Sequence, residues 1–368
     1  MDVADLVADR MSLIDSSGIR KVFDLAKSIP DPINLSIGQP DFDVPDAVKS
    51  SAIQAIEGGQ NQYTVTQGTA ALRKAVLDRE RSAWGLNHDS VLITSGVSGG
   101  LLLALMALIN DGDCVAIPDP YFVMYKHLSR LVGGEPFYVD TYPDFTLTAE
   151  RLEKTGASKA KLLLFNSPNN PTGQVVPPGE LQKIAQWAEH NDVFIITDDI
   201  YSVFTYDAPF TSIASYSDNV LLLNGFSKSD AMTGWRLGYA IGPDELIDEM
   251  IKLQQFSFVC APSIAQEAGI TALQRDKSEY VKNYRRKRDI IYQGLSGKFE
   301  MPQSKGAFYA FIKAPDGDGD AFAEEAIDNG CLIIPGSVFS ERRTHFRVSF
   351  AAPDETLHRG VELLCSLV

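Results

Sequence analysis

The chain has 368 residues, more than one hydrophobic core usually supports, so two domains are the expectation. Hydrophobic residues make up 45% and charged residues 22%, ordinary values for a globular chain. A formal net charge of −15 argues against a nucleic-acid backbone or an anionic membrane as the main partner, while a small anionic ligand stays open because a local pocket can be basic.

The first stretch, "MDVADLVADRMSLIDSSG", mixes acids among its apolar residues and lacks the basic start and apolar centre of an export signal. "LLLALMALIN" is too short to span a bilayer. Cys114, Cys260, Cys331 and Cys365 are scattered, with no Cys-x-x-Cys pair, which fits a reduced, cytoplasmic setting.

Short apolar runs then alternate with helical patterns. "SVLITSG" precedes "SGGLLLALMALIN", and "CVAIPDP" precedes "YFVMYKHLSRLVGG"; "KLLLFNSPNN" leads into "PPGELQKIAQWAEHN". "VFIITDDIY", "VLLLNGFSK" and "RLGYAIG" follow. Nearly all-apolar strands separated by helices predict an α/β fold, a mostly parallel sheet with helices on both faces. Beyond about residue 275 the texture changes: "KSEYVKNYRRKRDIIYQGL" reads as a long charged helix, and "FYAFIKA", "CLIIPG" and "HFRVSFA" as strands of a smaller sheet. "DGDGDAF" (316–322) departs from a calcium loop, with Ala321 where glycine is needed and Ile327 where glutamate is needed, and reads as a solvated turn.

Open α/β sheets bind ligands at the carboxyl ends of their strands, so the residues after each apolar run carry the chemistry. After "VLIT" comes a glycine-rich turn opening a helix, where the N–H groups of Gly96, Val97 and Ser98 either cradle a phosphate or simply close a tight turn. After "KLLLF" comes the rigid loop "NSPNNPTG", whose Asn170 is either a ligand contact or a turn residue. Asp198, Asp199 and Tyr201 follow "VFIIT"; an acid there caps a helix, binds a metal or faces a protonated ring nitrogen. Ser227 and Lys228 follow "VLLLNGF", with Arg236 beyond. Each has a plain structural reading alone. As a set they match the needs of pyridoxal 5′-phosphate: a lysine for the aldehyde, an acid for the pyridine nitrogen, an arginine with backbone amides for the phosphate.

Rival chemistries fit less well. His88, His127, His190, His345 and His358 show no ligand spacing to one another or to cysteines, so no metal site is expected. No Gly-x-Ser-x-Gly elbow occurs. An NAD-dependent dehydrogenase would use "LITSGVSGG" with Asp119, but the glycine spacing differs and Lys228, Asn170 and Asp198 would be left idle.

The chain resembles the class I/II aminotransferases, fold-type-I pyridoxal phosphate-dependent enzymes. The resemblance rests on ten stretches in family order: "LSIGQPDFDVP", "QYTVTQGTAALRKAV", "ITSGVSGG", "PDPYFVMY", "NSPNNPTG", "DDIY", "SKSDAMTGWRLGY", "KGAFYAF", "PGSVFS" and "FRVSF". It implies a large cofactor-binding domain over 45–275 and a small α/β domain from 1–44 and 276–368. The implied function is a ping-pong transfer of an amino group between an L-amino acid and a 2-oxo acid through a Schiff base on Lys228. A lyase or synthase of β-elimination type on the same scaffold is the alternative, and a non-catalytic effector domain a third reading. By the resemblance Arg236 binds the phosphate, Asp198 pairs with the pyridine nitrogen, and Tyr201 and Asn170 bond the phenolic oxygen. Phe122 stacks on the ring, and Arg347, helped by the Gly38 backbone, clamps the substrate α-carboxylate. Tyr63 falls where relatives reach the phosphate of the neighbouring subunit, which implies a homodimer with shared sites; the acidic charge leaves no nucleic-acid or membrane partner expected. Gly225 departs from relatives with a hydroxyl residue three before the lysine; Ser227 stands as the replacement. The implied side-chain pocket, Ile19, Ser98 and a partner's 256–263, carries no arginine or lysine, which points to neutral side chains, with glutamate and 2-oxoglutarate as a second pair.

Overall fold

The computed structural model describes residues 2–16, 18, 19, 22 and 29–368. Seven strands build the main sheet: β2 (Val91–Thr94), β3 (Cys114–Asp119), β4 (Glu135–Asp140), β5 (Leu162–Asn166), β6 (Phe194–Asp198), β7 (Val220–Gly225) and β8 (Gly238–Ile241). Their order is β2-β8-β7-β6-β5-β3-β4. β3, β4, β5, β6 and β7 run parallel, whereas β8 is antiparallel to both β2 and β7.

Alternation along each strand divides the apolar residues between two cores. Leu162, Leu164, Ile196, Leu221 and Leu223 face one side, where they pack with Leu101, Leu105, Ile247 and Met250 from helices Gly96–Leu108 and Asp244–Gln255. Leu163, Phe165 and Ile195 face the other and meet Leu181, Ile184 and Trp187 of helix Pro178–His190. Burial on both faces is why β5 and β7 read as continuous apolar runs. β4 carried no such run, because of its six residues only Val139 is buried.

The later part of the chain forms a three-stranded antiparallel sheet in the order β11 (Ile334–Pro335), β12 (His345–Ser349), β9 (Tyr309–Lys313). "CLIIPG" is therefore two strands: β10 (Cys331–Leu332) pairs in parallel with β1 (Ile33–Asn34), and only after Ile333 does the chain join β12. The long charged helix spans Ser278–Leu295. "DGDGDAF" is not a free turn, because the Asp318 carboxylate accepts from the N–H groups of Asp320 and Ala321 and caps helix Gly319–Asp328. Among the described residues no helix is long and apolar enough to cross a membrane.

Candidate active site

Pairing of β5 with β6 sets Asn166 beside Asp198, both at carboxyl ends of parallel strands. The Asn166 amide donates to the Asp198 carbonyl at 2.7 Å and its oxygen accepts from Asn170 N–H at 3.0 Å, tying the "NSPNNPTG" loop to the end of β6. These residues open onto a cleft of about 660 Å³, within the size range of small-molecule sites. Gly38, Val97, Ser98, Phe122, Asn170, Asp198, Tyr201, Ser227, Lys228, Arg236 and Arg347, singled out above from widely separated stretches, all line it.

Lys228 follows β7 and is half-buried, its Nζ donating to the Gly38 carbonyl at 2.7 Å. Burial, opposed by Asp198 and assisted by Arg347 and Arg236, brings its amine down to about 8. A larger share of the free-base form near neutrality makes this amine a competent nucleophile and proton carrier.

Asp198 is 6% exposed. Burial pushes its carboxyl up to about 6 against the stabilising bonds from Tyr125 Oη at 2.9 Å and the Ile200 N–H at 3.2 Å. Above that pH it is a buried anion that a cationic ring nitrogen would answer.

The Arg236 backbone has φ 54°, the left-handed region that a non-glycine residue adopts at a cost. This conformation aims the guanidinium at Ser98 Oγ, 2.7 Å away, and at the Thr233 carbonyl, 2.9 Å away. Gly96 makes room: a Cβ there would lie 2.7 Å from Arg236 Nη2. Gly225 has a reason of its own, since a Cβ would sit 2.9 Å from the Leu237 carbonyl across the β7–β8 pair, which leaves no space for a hydroxyl side chain.

Arg347 lies on the middle strand β12 and is 1% exposed, not the solvated charge its strand position suggests. It donates from Nη1 to Asn170 Oδ1 at 3.0 Å and from Nη2 to the Ser36 carbonyl at 2.7 Å, sandwiched 4.5 Å from the rings of Tyr309 and Phe339. Its Nε is buried with no hydrogen-bond partner among the described residues. An unpaired buried donor on a planar guanidinium is a ready contact for a carboxylate.

Tyr63 stands apart, 84% exposed and outside the cleft of its own chain. Tyr125, Tyr309 and Asn166 join the site without having been singled out in the sequence. Tyr125 holds Asp198, and Tyr309 Oη lies 2.9 Å from Tyr201 Oη. The available sign for Tyr125 was its place one helical turn beyond Phe122.

The residues present fit pyridoxal phosphate by their donor chemistry. Arg236, Ser98, Ser227 and the Gly96 turn offer cation and hydroxyl donors beside a helix start, while Asp198 supplies an anion and Lys228 an amine.

A family profile described as "Aminotransferase class I and II" matches residues 30–364. A "Probable aspartate aminotransferase" of Methanocaldococcus jannaschii is 36% identical, covering 98% of this chain and 99% of its own. "Aromatic-amino-acid aminotransferase 2" of Thermococcus litoralis is 34% identical, over 97% of this chain and 96% of its own. Among solved structures, the aspartate aminotransferase of Thermus thermophilus with maleate superposes with a TM-score of 0.93 at 31% identity, over 98% of this chain and 99% of that one. Fold, cleft chemistry and whole-length similarity agree, and the chain belongs to the class I and II aminotransferases, pyridoxal phosphate-dependent transaminases.

Proposed function

We propose that Lys228 holds the cofactor and carries the proton during exchange of an amino group between an L-amino acid and a 2-oxo acid. The observation that carries this reading is the Lys228 amine, lowered to about 8 and held in the cleft within the field of Asp198 and Arg347. Pyridoxal phosphate, when bound, supplies an aldehyde that captures the amino group and a ring that accepts the electron pair left at Cα. Arg236, Ser98 and Ser227, with the Gly96–Val97 turn, hold its phosphate. Asp198 would hold a proton on the ring nitrogen, Phe122 would pack on the ring, and Tyr201 and Asn170 would offer donors to the phenolic oxygen. Arg347 binds the substrate α-carboxylate beside the Gly38 backbone, and Lys228 Nζ takes the Cα proton.

Adding an L-amino acid to purified enzyme is expected to bleach the cofactor's visible absorbance and release the matching 2-oxo acid; a 2-oxo acid then restores the band. Release of ammonia with a persistent band would overturn this assignment in favour of elimination. Arg347→Lys replaces a planar fork by a point charge, so KM should rise roughly tenfold for both amino acid and 2-oxo acid with a smaller change in kcat. Steady-state kinetics in both directions check it, and unaltered KM values would move the clamp elsewhere.

The same reading divides the chain into 45–275, which carries the phosphate end, and 1–44 with 276–368, which carries Gly38 and Arg347. It also makes the enzyme a homodimer. Arg236 is exposed and borders a groove shared with Ile53, Ile56, Trp235, Pro262 and Ile264. Tyr63 and Phe256, 84% and 88% exposed, are large apolar surfaces that a second copy would cover. Tyr63 would then serve the neighbouring phosphate. Four free cysteines support a cytoplasmic setting.

A further inference from the structure

One wall of the cleft is used by neither the phosphate end nor Arg347. Ile14, Ile19, Leu101, Val123 and Met124 line it, and Asp15 and His127 stand among them. The Asp15 N–H lies 3.5 Å from His127 Nδ1, which sets the two residues side by side in the lining.

The charges there are unsuited to an acidic side chain. Lys228, Arg236 and Arg347 are the cations other than histidine among the described lining residues. Each is already taken in the proposed assignment: Lys228 by the cofactor aldehyde, Arg236 by the phosphate beside Ser98, and Arg347 by the α-carboxylate. Residues 256–263, the "FSFVCAPS" loop that a second copy would bring, add no arginine or lysine. His127 does not replace them, because burial holds its ring below the usual histidine range even against the pull of Asp15, so at pH 7.5 it is neutral. Asp15 is exposed and adds an acidic side chain to this wall.

We propose that this wall is the side-chain subsite, that it takes an uncharged apolar side chain, aromatic or branched aliphatic, and that Asp15 acts against a second carboxylate. Apolar area leaving water at the half-buried Ile14, Ile19 and Met124, backed by the buried Leu101 and Val123, supplies the affinity, and like-charge repulsion at Asp15 supplies the discrimination. The proposal deepens the transaminase assignment and rests on Arg347 as the α-carboxylate clamp.

The test compares phenylalanine, leucine and aspartate as amino donors to holoenzyme, in the natural chain and in Asp15→Asn. Phenylalanine and leucine are expected to exceed aspartate in kcat/KM by at least roughly tenfold, and Asp15→Asn to raise the aspartate-to-phenylalanine ratio about five- to tenfold, the size of a partly screened charge contact. Aspartate as the best donor in the natural chain would overturn the substrate class. An unmoved ratio in Asp15→Asn would overturn the role of Asp15. Calorimetric binding of 3-phenylpropionate against maleate separates this subsite from the chemistry: tight 3-phenylpropionate and weak maleate uphold the subsite even if no amino acid is turned over, whereas tighter maleate sinks it independently of turnover.

Discussion

Lys228→Ala is expected to lose transaminase activity by about 10⁴-fold or more, because one substitution removes both the nucleophile and the proton carrier. Its stability should move the other way. The folded amine titrates at about 8, below the ordinary lysine value of 10.5, so between those pH values the unfolded chain binds more protons and stability rises with pH. Below pH 8 the full penalty of the buried ammonium applies, and alanine relieves it. After discounting for a side chain only half-buried, the apoenzyme variant should gain roughly 1–2 kcal/mol at pH 7, less whatever the Gly38 bond contributes. Thermal denaturation at pH 7 and pH 10, with borohydride fixation of the cofactor, checks both halves. Retained activity, or cofactor fixed elsewhere in the variant, would remove Lys228 from the centre; a large loss of stability would make it a structural residue.

Much of this was legible from one physical rule. A strand buried on both faces must be apolar throughout, so the first polar residue after it marks the sheet's carboxyl end, where ligands bind in such folds. That rule reaches Asp198, Lys228 and the Gly96 turn without knowledge of the fold. It does not reach Arg347, which sits inside β12 and is buried only because β9 and β11 flank it and Tyr309 and Phe339 stack on its guanidinium. Family resemblance, not strand pattern, pointed there. Tyr125 was hidden for a related reason: an aromatic on an apolar helix face is ordinarily core, and only packing of helix Val123–Leu131 over the sheet end brings its hydroxyl to Asp198. The division of "CLIIPG" into two strands depends on β1, far away in sequence, capturing Cys331 and Leu332. Pairings of that range leave no local periodicity to read.

Asp198→Ala is expected to lower kcat roughly 10²–10³-fold while cofactor content is retained, since Arg236, Ser98 and Lys228 still hold the other ends of the coenzyme. The carboxylate stabilises charge at a distance from the reacting atoms, so its loss removes an electron sink without removing the amine that carries the proton. Charge, not shape, is the point, and Asp198→Asn separates them: it keeps the side chain's outline beside Tyr125 and should be nearly as slow as alanine. Stability again carries an independent signature. The folded carboxyl titrates at about 6, above its ordinary 3.8, so the folded state holds more protons between those values and loses stability as pH rises through that window. In the apoenzyme this slope is worth up to about 3 kcal/mol and should vanish in either variant. Chemical denaturation of apoenzyme at pH 4.5 and pH 7 reads it without any catalysis. A natural chain with no such slope would mean that Asp198 is better solvated than its burial implies, and near-normal turnover in Asp198→Asn would show that a neutral hydrogen-bonding group suffices at the ring nitrogen.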